Sequence, residues 1–254
     1  MRLCLFVFEN LSGVQLKLYG DVEQLRQKPE SALVLANHQS DVDWAVIVML
    51  AQRQGAEGND AGFRVMVKHV IHYVPLFGWY IFQHGYIYVR RFGEFLSAPV
   101  LKQLAWLDTI DEKFWLLVFP EGTRYSLKRK ENILVSQEFC RRKGIPEFKN
   151  VLSPRAGGAF MALENLESLD AVYDVTIAYG QTRLLDEFHK TGEFPDPVSV
   201  NEPAVSLFRT LRPTLFFAAA LVAPFYSPTV RNAYFYTMAS FPLLILWLEV
   251  KKCA

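Results

Sequence analysis

The sequence predicts an α/β fold, with a central mostly parallel or mixed sheet flanked by helices and a pair of C-terminal membrane helices. Short apolar runs typical of strands alternate with longer segments of helical spacing, which is the pattern of a sheet covered by helices. The run 114–119 is uninterrupted and apolar, as in a strand buried on both faces. Beyond residue 212 the composition changes. We therefore divide the chain into a domain over 1–212 and a hydrophobic hairpin over 213–254.

The bulk composition favours a membrane-associated protein and argues against a nucleic-acid partner. The 254 residues carry a formal net charge of +1, which predicts no strong field directed at nucleic acid. Hydrophobic residues make up 51% of the chain and aromatic residues 14%, and the mean hydropathy is positive. Its cysteines, Cys4, Cys140 and Cys253, are far apart in the sequence. This spacing argues against a disulfide framework or a zinc site and fits a domain that faces the reducing cytosol.

In the first half of the chain, strands are expected before the first long helix. Apolar segments at 5–8 and 14–18 predict two strands around a Ser-Gly turn, and the polar, proline-bearing stretch 21–31 predicts a loop. The apolar run 32–35 predicts a buried strand, and the segment that follows it predicts a helix ending near Arg53. Residues 63–70 fit a strand or a short helix, whereas the aromatic and β-branched residues 85–89 fit a strand.

The second half continues the alternation. Residues 98–113 have helical spacing and precede the buried strand at 114–119. A helix is predicted over 132–143, because Gly144 follows it and its last turn is basic. A short strand is expected at 151–155, a helix at 160–169, and an alternating strand at 172–179. The stretch 180–212 is polar and contains prolines.

The C-terminal region contains two uncharged stretches, 214–230 and 232–248, each at the lower length limit for a membrane-spanning helix. Basic residues flank the pair at both outer ends: Arg209 and Arg212 before it, Lys251 and Lys252 after it. The positive-inside rule places both ends in the cytosol, so the simplest interpretation is a hairpin with Arg231 at its turn. Three prolines in this region also allow a shallow re-entrant hairpin, and a pair of buried core helices is the third alternative.

The leading candidate for chemistry is the stretch 37–43, Asn-His-Gln-Ser-Asp-Val-Asp, between a predicted strand and a predicted helix. If His38 precedes the helix and Asp43 lies in its first turn, the carboxylate can fold back, fix the imidazole tautomer and stabilise the imidazolium. An imidazole suits general-base catalysis near neutral pH. The alternative is that Asp41 and Asp43 are ordinary helix N-terminal acids and His38 is a loop residue. Asp41 or Ser40 is also expected to cap the helix.

Basic side chains stand at the ends of several predicted strands. The residues concerned are Arg90 and Arg91 after 85–89, Arg124 after 114–119, and Arg155 in the 151–155 segment. Ligands of open α/β sheets bind outside the carboxyl ends of the strands, and an arginine there can bind a phosphate bidentately. Any one of these arginines alone fits a solvated surface position. Together with a base and an acid, they predict an anion-binding site.

Four motifs occur in order over residues 37–155: His-Gln-Ser-Asp-Val-Asp, Gly-Tyr-Ile-Tyr-Val-Arg-Arg, Phe-Pro-Glu-Gly-Thr-Arg and Val-Leu-Ser-Pro-Arg. They resemble, in the same order, the four blocks of the glycerophospholipid acyltransferase (PlsC-like) family, the first of which is an HX4D box. The residues of these motifs are most similar to those of the epsilon-type 1-acylglycerol-3-phosphate acyltransferases, and they also resemble those of the lysocardiolipin acyltransferases.

This resemblance implies a PlsC-like fold over 1–212 and acyl-CoA-dependent acylation of lysophosphatidate at its free sn-2 hydroxyl, giving phosphatidate. His38 would take the hydroxyl proton, Asp43 would orient His38, and acyl-CoA would be the co-substrate, with no other cofactor and no metal. The implied acceptor site contains Arg91, Glu121, Gly122, Thr123, Arg124 and Arg155. Arg124 is the best candidate for the phosphate, and Asp41 is then better read as a helix-cap acid.

The resemblance leaves three matters open. The acceptor could instead be lysocardiolipin or another lysophospholipid. The segment before the first predicted strand and the 180–212 stretch are both shorter than in relatives of this type, so a truncated, weakly active membrane-bound isoform is a further alternative. The implied location is the endoplasmic reticulum membrane, with the catalytic domain facing the cytosol, or alternatively the mitochondrial outer membrane. The oligomeric state is not predicted.

Overall fold

The computed structural model describes residues 2–10, 14–74, 77–90, 97–179, 200–201, 211, 215, 218–219, 222–237 and 240. The chain divides into two compact units, one of Leu18–Val200 and one of Met1–Lys17 with Asn201–Ala254. The predicted domain boundary after residue 212 stays a prediction. The Leu18–Val200 unit holds the five-stranded sheet.

The described helices are α1 (Arg2–Asn10), α2 (Val22–Gln27), α3 (Asp43–Ala51), α4 (Phe77–Gln83), α5 (Ser97–Asp108), α6 (Lys130–Lys143) and α7 (Gly157–Asn165), with a 3₁₀ helix over His69–Tyr73. The described strands are β1 (Lys17–Leu18), β2 (Ala32–Ala36), β3 (Phe63–Lys68), β4 (Ile87–Val89), β5 (Trp115–Val118), β6 (Ala171–Val175) and β7 (Val200–Asn201). Strands β1 and β7 form a two-stranded sheet.

The other five strands form one parallel sheet in the order β4-β3-β5-β2-β6. Strand β2 continues in the chain to β3 on one side, whereas β5, its neighbour in the sheet, continues to β6 on the other side. The crevice between the carboxyl ends of β2 and β5 is therefore the topological switch point, which is where open α/β sheets bind their ligands.

The core lies on the central strands because their side chains are apolar on both faces. All four residues of β5 are buried. Helices α5 and α7 pack together with Leu33 of β2 and Leu116 of β5 in one hydrophobic cluster, and α3 packs against β3 and β5. Each such side chain contributes about 1.5–3 kcal/mol when it is fully buried. These contacts give the strand ends a rigid support.

The α/β class, the central parallel sheet and most predicted elements are confirmed. Three element assignments in the predicted domain over 1–212 are wrong. Residues 5–8 belong to helix α1 and not to a strand. The prediction failed because a short apolar run fits a helix and a strand equally well. The expected loop at 21–31 contains α2, whose Val22 and Leu25 are buried at helical spacing before Pro29.

The third wrong prediction is the strand at 151–155, which the structure does not contain. The N–H of Leu152 donates to Glu121 at 2.8 Å, and that of Ser153 donates to the Ser136 hydroxyl at 2.7 Å. Because these donors bond to side chains, they are not available for pairing with a neighbouring strand.

Only part of the predicted hairpin 213–254 falls within the described residues. Residues 222–226 and 228–237 are helical, and Arg231 lies inside the second helical stretch, where its N–H donates to the Ser227 carbonyl at 3.0 Å. The prediction that Arg231 sits at a turn is therefore wrong. The helical path breaks at Ser227 because Pro228 has no N–H and suits the first position of a new helix.

Most described residues of this region are exposed, with Phe225 at 84% and Tyr226 at 86%. This contradicts the alternative of buried core helices at these positions. Among the described residues, no helix combines the length and the apolar character needed to cross a membrane. The membrane hairpin stays a prediction.

Candidate active site

The loop after β2 carries His38, and α3 begins at Asp43. Nδ1 of His38 lies 2.8 Å from Oδ2 of Asp43. The Asp43 side chain is completely buried, whereas 23% of the His38 side chain is exposed. The structure therefore brings the predicted base and acid into contact. Because a carboxylate accepts the Nδ1 proton, this contact favours the tautomer in which Nε2 carries the free lone pair.

Three further donors hold the Asp43 carboxylate. Oδ2 also accepts the N–H of Gln39 at 2.7 Å and that of Ser40 at 2.9 Å, and Oδ1 accepts the Tyr179 hydroxyl at 2.5 Å. The first two donors belong to the turn that leads into α3, so the carboxylate folds back over its own loop. A buried carboxylate with this many donors is fully satisfied and held in one orientation.

His38 is also held by the loop that follows β5. Its ring stacks on Phe119, with centroids 4.2 Å apart and an interplanar angle of 18°. Its carbonyl accepts the N–H of Tyr125 at 2.7 Å, and its own N–H donates to Glu121 at 2.7 Å. The two loops meet because β2 and β5 are neighbours in the sheet. His38 is therefore fixed through both its ring and its backbone.

Glu121 connects two backbone segments. Its Oε1 accepts the N–H of His38, and its Oε2 accepts the N–H of Leu152. Burial raises the pKa of the Glu121 carboxyl, while these two N–H donors and nearby His38 act in the opposite direction. The carboxylate thus braces the His38 loop against the 151–155 segment. Its predicted contact with the acceptor stays a prediction.

Gly122 and Thr123 form the turn between β5 and Arg124. Gly122 has φ of 70°, a left-handed conformation that glycine adopts without steric cost, and its N–H donates to the Phe119 carbonyl at 2.9 Å. Thr123 is partly buried in the same turn. The turn directs the chain back toward the loop of His38.

Arg124 forms an ion pair with Asp41 through Nη1 and Oδ2. The N-cap of α3 is Val42, without a side-chain capping bond, so the prediction that Asp41 or Ser40 caps this helix is wrong. The Asp41 carboxylate is 83% exposed and turns instead to the arginine of the neighbouring loop. This pair places the predicted phosphate ligand beside the loop that carries His38.

Arg155 and Arg91 are the remaining arginines of the predicted acceptor site. The N–H of Arg155 donates to the Pro120 carbonyl at 2.6 Å, which brings Arg155 to the loop after β5, and the residue is exposed. Arg91 lies outside the described residues. In the described ranges, no group of three or more His, Cys, Asp or Glu side chains converges closely enough to hold a metal ion.

Sequence reasoning missed Tyr179 and Asn37. The Asn37 amide donates to the Ile177 carbonyl at 2.9 Å and accepts its N–H at 2.6 Å, which extends the pairing of β2 and β6 beyond the end of β2. Residues 172, 174 and 176 are exposed, and 173, 175, 177 and 179 are more buried. This period-two pattern was visible in the predicted strand at 172–179, and it could have identified Tyr179 as an inward-facing residue.

Comparison with known proteins points to one family. A family model described as Acyltransferase matches residues 19–180. The chain is 38% identical over 202 residues to the mouse 1-acyl-sn-glycerol-3-phosphate acyltransferase epsilon, which covers 79% of the chain and 52% of that protein. It is 34% identical over 175 residues to the probable 1-acyl-sn-glycerol-3-phosphate acyltransferase 5 of Arabidopsis thaliana, covering 68% of the chain and 44% of that protein.

A third relative, the human 1-acyl-sn-glycerol-3-phosphate acyltransferase delta, is 31% identical over 170 residues, covering 66% of the chain and 43% of that protein. The chain spans about half the length of the curated relatives it matches. No solved structure matches it.

Proposed function

The chain belongs to the acyltransferase family, and from this premise we propose that it transfers an acyl group from acyl-CoA to the free sn-2 hydroxyl of lysophosphatidate, forming phosphatidate. The names of the three relatives support this acceptor, since each is named as a 1-acyl-sn-glycerol-3-phosphate acyltransferase, the Arabidopsis one as a probable one. The observation that carries the proposal is the 2.8 Å contact between His38 and Asp43 at the switch point of the sheet.

In the proposed reaction, Nε2 of His38 accepts the proton of the acceptor hydroxyl while the hydroxyl oxygen attacks the thioester carbonyl. Asp43 holds the Nδ1 proton and stabilises the imidazolium. The C–S bond then breaks, the imidazolium gives its proton to the departing sulfur, and CoA leaves as the thiol. No acyl-enzyme is required, in keeping with a sequence that has no Gly-x-Ser-x-Gly elbow.

Arg124 is the proposed ligand of the acceptor phosphate. A solvent-exposed ion pair such as that with Asp41 contributes only about 0–1 kcal/mol, so a phosphate can replace the carboxylate. A phosphate also accepts both arms of the guanidinium, which strengthens its binding. We include Arg91, Thr123 and Arg155 in the proposed acceptor site, with Glu121 and Gly122 holding the loop that carries Arg124.

The assignment of Arg124 to the acceptor phosphate can be tested with two substitutions that are expected to change the KM in opposite directions. Arg124→Ala should raise the KM for lysophosphatidate about tenfold or more, because a charge-assisted bidentate contact is lost. Asp41→Asn should lower this KM by up to about fivefold, because a competing carboxylate is removed. Arg142→Ala, on the exposed last turn of α6, is the control and should change neither kcat nor KM. An unchanged KM in Arg124→Ala would remove the residue from the acceptor site.

The acceptor itself is tested by a panel. The full chain in detergent micelles receives labelled acyl-CoA and equal concentrations of lysophosphatidate, lysocardiolipin and lysophosphatidylinositol. We expect lysophosphatidate to react fastest. A dominant rate with another lysophospholipid would assign that acceptor instead, and no transfer to any of them would refute the proposed activity.

The base is tested in the same assay. His38→Ala should lower kcat by about 10²–10⁴-fold, which is the usual contribution of general-base catalysis. The control is His84→Gln, since His84 directly follows α4 and its ring bonds to the Tyr80 carbonyl. Full activity in His38→Ala would show that another group takes the proton.

We also propose that residues 213–254 attach the protein to the endoplasmic reticulum membrane, with Leu18–Val200 in the cytosol; the mitochondrial outer membrane is the alternative. Basic residues on both sides of the uncharged stretches support this orientation. Tags at the two termini should both be digested by protease added to intact vesicles. Digestion of only one tag would exclude an even number of crossings.

A further inference from the structure

We propose that Tyr179 is a positioning residue, which holds the Asp43 carboxylate in line with His38 through the oxygen that the histidine does not use. The effect on rate rests on the proposed function, whereas the effect on the hydrogen bond between Asp43 and His38 does not. Tyr179 lies outside the four motifs that identify the family, and it is 136 residues from Asp43 in the sequence.

The two oxygens of Asp43 have different partners. Oδ2 accepts from His38 and from the two N–H groups of its own loop. Oδ1 accepts from the Tyr179 hydroxyl at 2.5 Å, and within the described part of the chain this is the donor that satisfies it. Because Asp43 is completely buried, losing that donor would leave a charged oxygen without a hydrogen-bond donor among the described residues.

The position of Tyr179 follows from the strand that precedes it. Strand β6 runs parallel to β2, and the Asn37 amide continues the pairing as far as Ile177. Two residues further along an extended chain the side chain returns to the same face, so Tyr179 points inward as Ile177 does. The end of β6 is thereby connected to the first turn of α3.

The hydroxyl is suited to this task because it stays protonated. Burial, followed by the hydrogen bond to Asp43, raises the pKa of Tyr179, so the group remains a donor throughout the range in which an imidazole base works. A donor on Oδ1 draws negative charge away from Oδ2. The attraction of Oδ2 for the imidazolium is thereby moderated, and the imidazolium must release its Nε2 proton to the leaving sulfur. The same hydrogen bond fixes the plane of the carboxylate.

The kinetic test compares two tyrosines of the same chain segment. Tyr179→Phe should lower kcat about tenfold, the equivalent of one hydrogen bond. The KM values for both substrates should stay nearly unchanged, because a positioning residue acts through Asp43. Tyr173→Phe is the matched control, since its hydroxyl donates to the Glu30 carboxylate at 2.7 Å from the same face of β6. Equal losses of kcat in the two variants would reduce Tyr179 to a general structural role and overturn the proposal.

A second measurement does not depend on activity. In the full chain labelled with ¹⁵N-histidine, the Nδ1 proton of His38 is assigned by its absence from the spectrum of His38→Gln. This resonance should move downfield in Tyr179→Phe, because the carboxylate then attracts the proton more strongly, and it should stay in place in Tyr173→Phe. An unchanged resonance in Tyr179→Phe would overturn the positioning role. A shifted resonance in a protein that transfers no acyl group would uphold it and refute the proposed function.

Discussion

At the scale of single residues, three carboxylates near His38 differ in their surroundings and therefore in what they can do. Asp43 is buried and bonded to four donors, and it orients the imidazole. Glu121 is buried and bonded to two backbone N–H groups, and it braces two loops. Asp41 is exposed and pairs with the Arg124 guanidinium. The same chemical group thus serves as orienting acid, brace and exchangeable counter-ion.

The two bonds that Glu121 accepts predict that Glu121→Gln lowers the stability of the fold. A glutamine has one acceptor oxygen, so either the N–H of His38 or that of Leu152 must face its NH₂ group. We expect the free energy of unfolding to fall by about 1–3 kcal/mol and kcat to fall with it, because the His38 loop shifts. Glu147→Gln breaks an exposed pair with Arg141 and should change stability by less than about 0.5 kcal/mol. Denaturant titration of both variants, with rates measured on the folded protein, checks this.

At the scale of elements, one glycine sets the distance between two helices. A Cβ at Gly78 of α4 would overlap the carbonyl oxygen of His72 in the 3₁₀ helix, whereas a Cβ at Gly157 of α7 would meet nothing within 4 Å. Gly78→Ala should therefore lower the free energy of unfolding by about 1–3 kcal/mol. Gly157→Ala should leave it unchanged or raise it by up to about 1 kcal/mol. Equal changes in the two melting temperatures would contradict this account.

The amino ends of the central strands are joined by Asp170, which precedes β6. Its Oδ2 accepts the ammonium of Lys113 and the N–H of Ser31, both at 2.7 Å. The bond from Lys113, followed by that from Ser31, holds the pKa of the Asp170 carboxyl below its ordinary value of 3.8.

This lowered pKa predicts a pH dependence of stability. The unfolded chain binds the proton of Asp170 at a higher pH than the folded chain does, so the carboxylate stabilises the fold above the ordinary pKa of 3.8. That contribution is lost as the pH falls through the lower folded-state value. The difference in unfolding free energy between wild type and Asp170→Asn should therefore be constant near neutral pH and shrink below about pH 4. A difference that grows on acidification would be the wrong sign.

At the scale of the whole sheet, the carboxyl ends and the amino ends of the strands have different roles. The carboxyl ends of β2 and β5 carry the candidate site, whereas a network around buried Gln54 ties the amino-end side of the sheet together. The Gln54 side chain accepts from the Glu30 backbone, from Asn59 and from the Trp115 indole, and it donates to the Tyr173 hydroxyl.

Gln54→Leu should separate stability from catalysis. A leucine leaves several buried donors unpaired, so the free energy of unfolding should fall by about 2–5 kcal/mol. The rate per folded molecule should stay within about twofold of wild type, because a rigid sheet separates the network from His38. Gln83→Leu, at an exposed position on α4, is the matched control. A large loss of kcat in folded Gln54→Leu would show that the Gln54 network and the candidate site are coupled.

Much of the sheet could be predicted from the sequence because its signals are local. The uninterrupted apolar run at 114–119 contains β5 (Trp115–Val118), and the alternation predicted at 172–179 begins within β6, which ends at Val175. The apolar run at 5–8 did not, because four residues cannot distinguish a helix from a strand. The 151–155 segment also escaped prediction, since its N–H groups bond to side chains that are distant in sequence.

By itself, the sequence determined the order of the four motifs and their resemblance to the family, and it predicted a contact of His38 with Asp43, because these depend on residues near one another in the chain. Only the tertiary structure decided that Tyr179 completes Asp43, that Glu121 braces His38 and that Arg124 pairs with Asp41. Those partners lie on separate strand ends, and strand order is set by burial of the whole sheet, which no local pattern encodes.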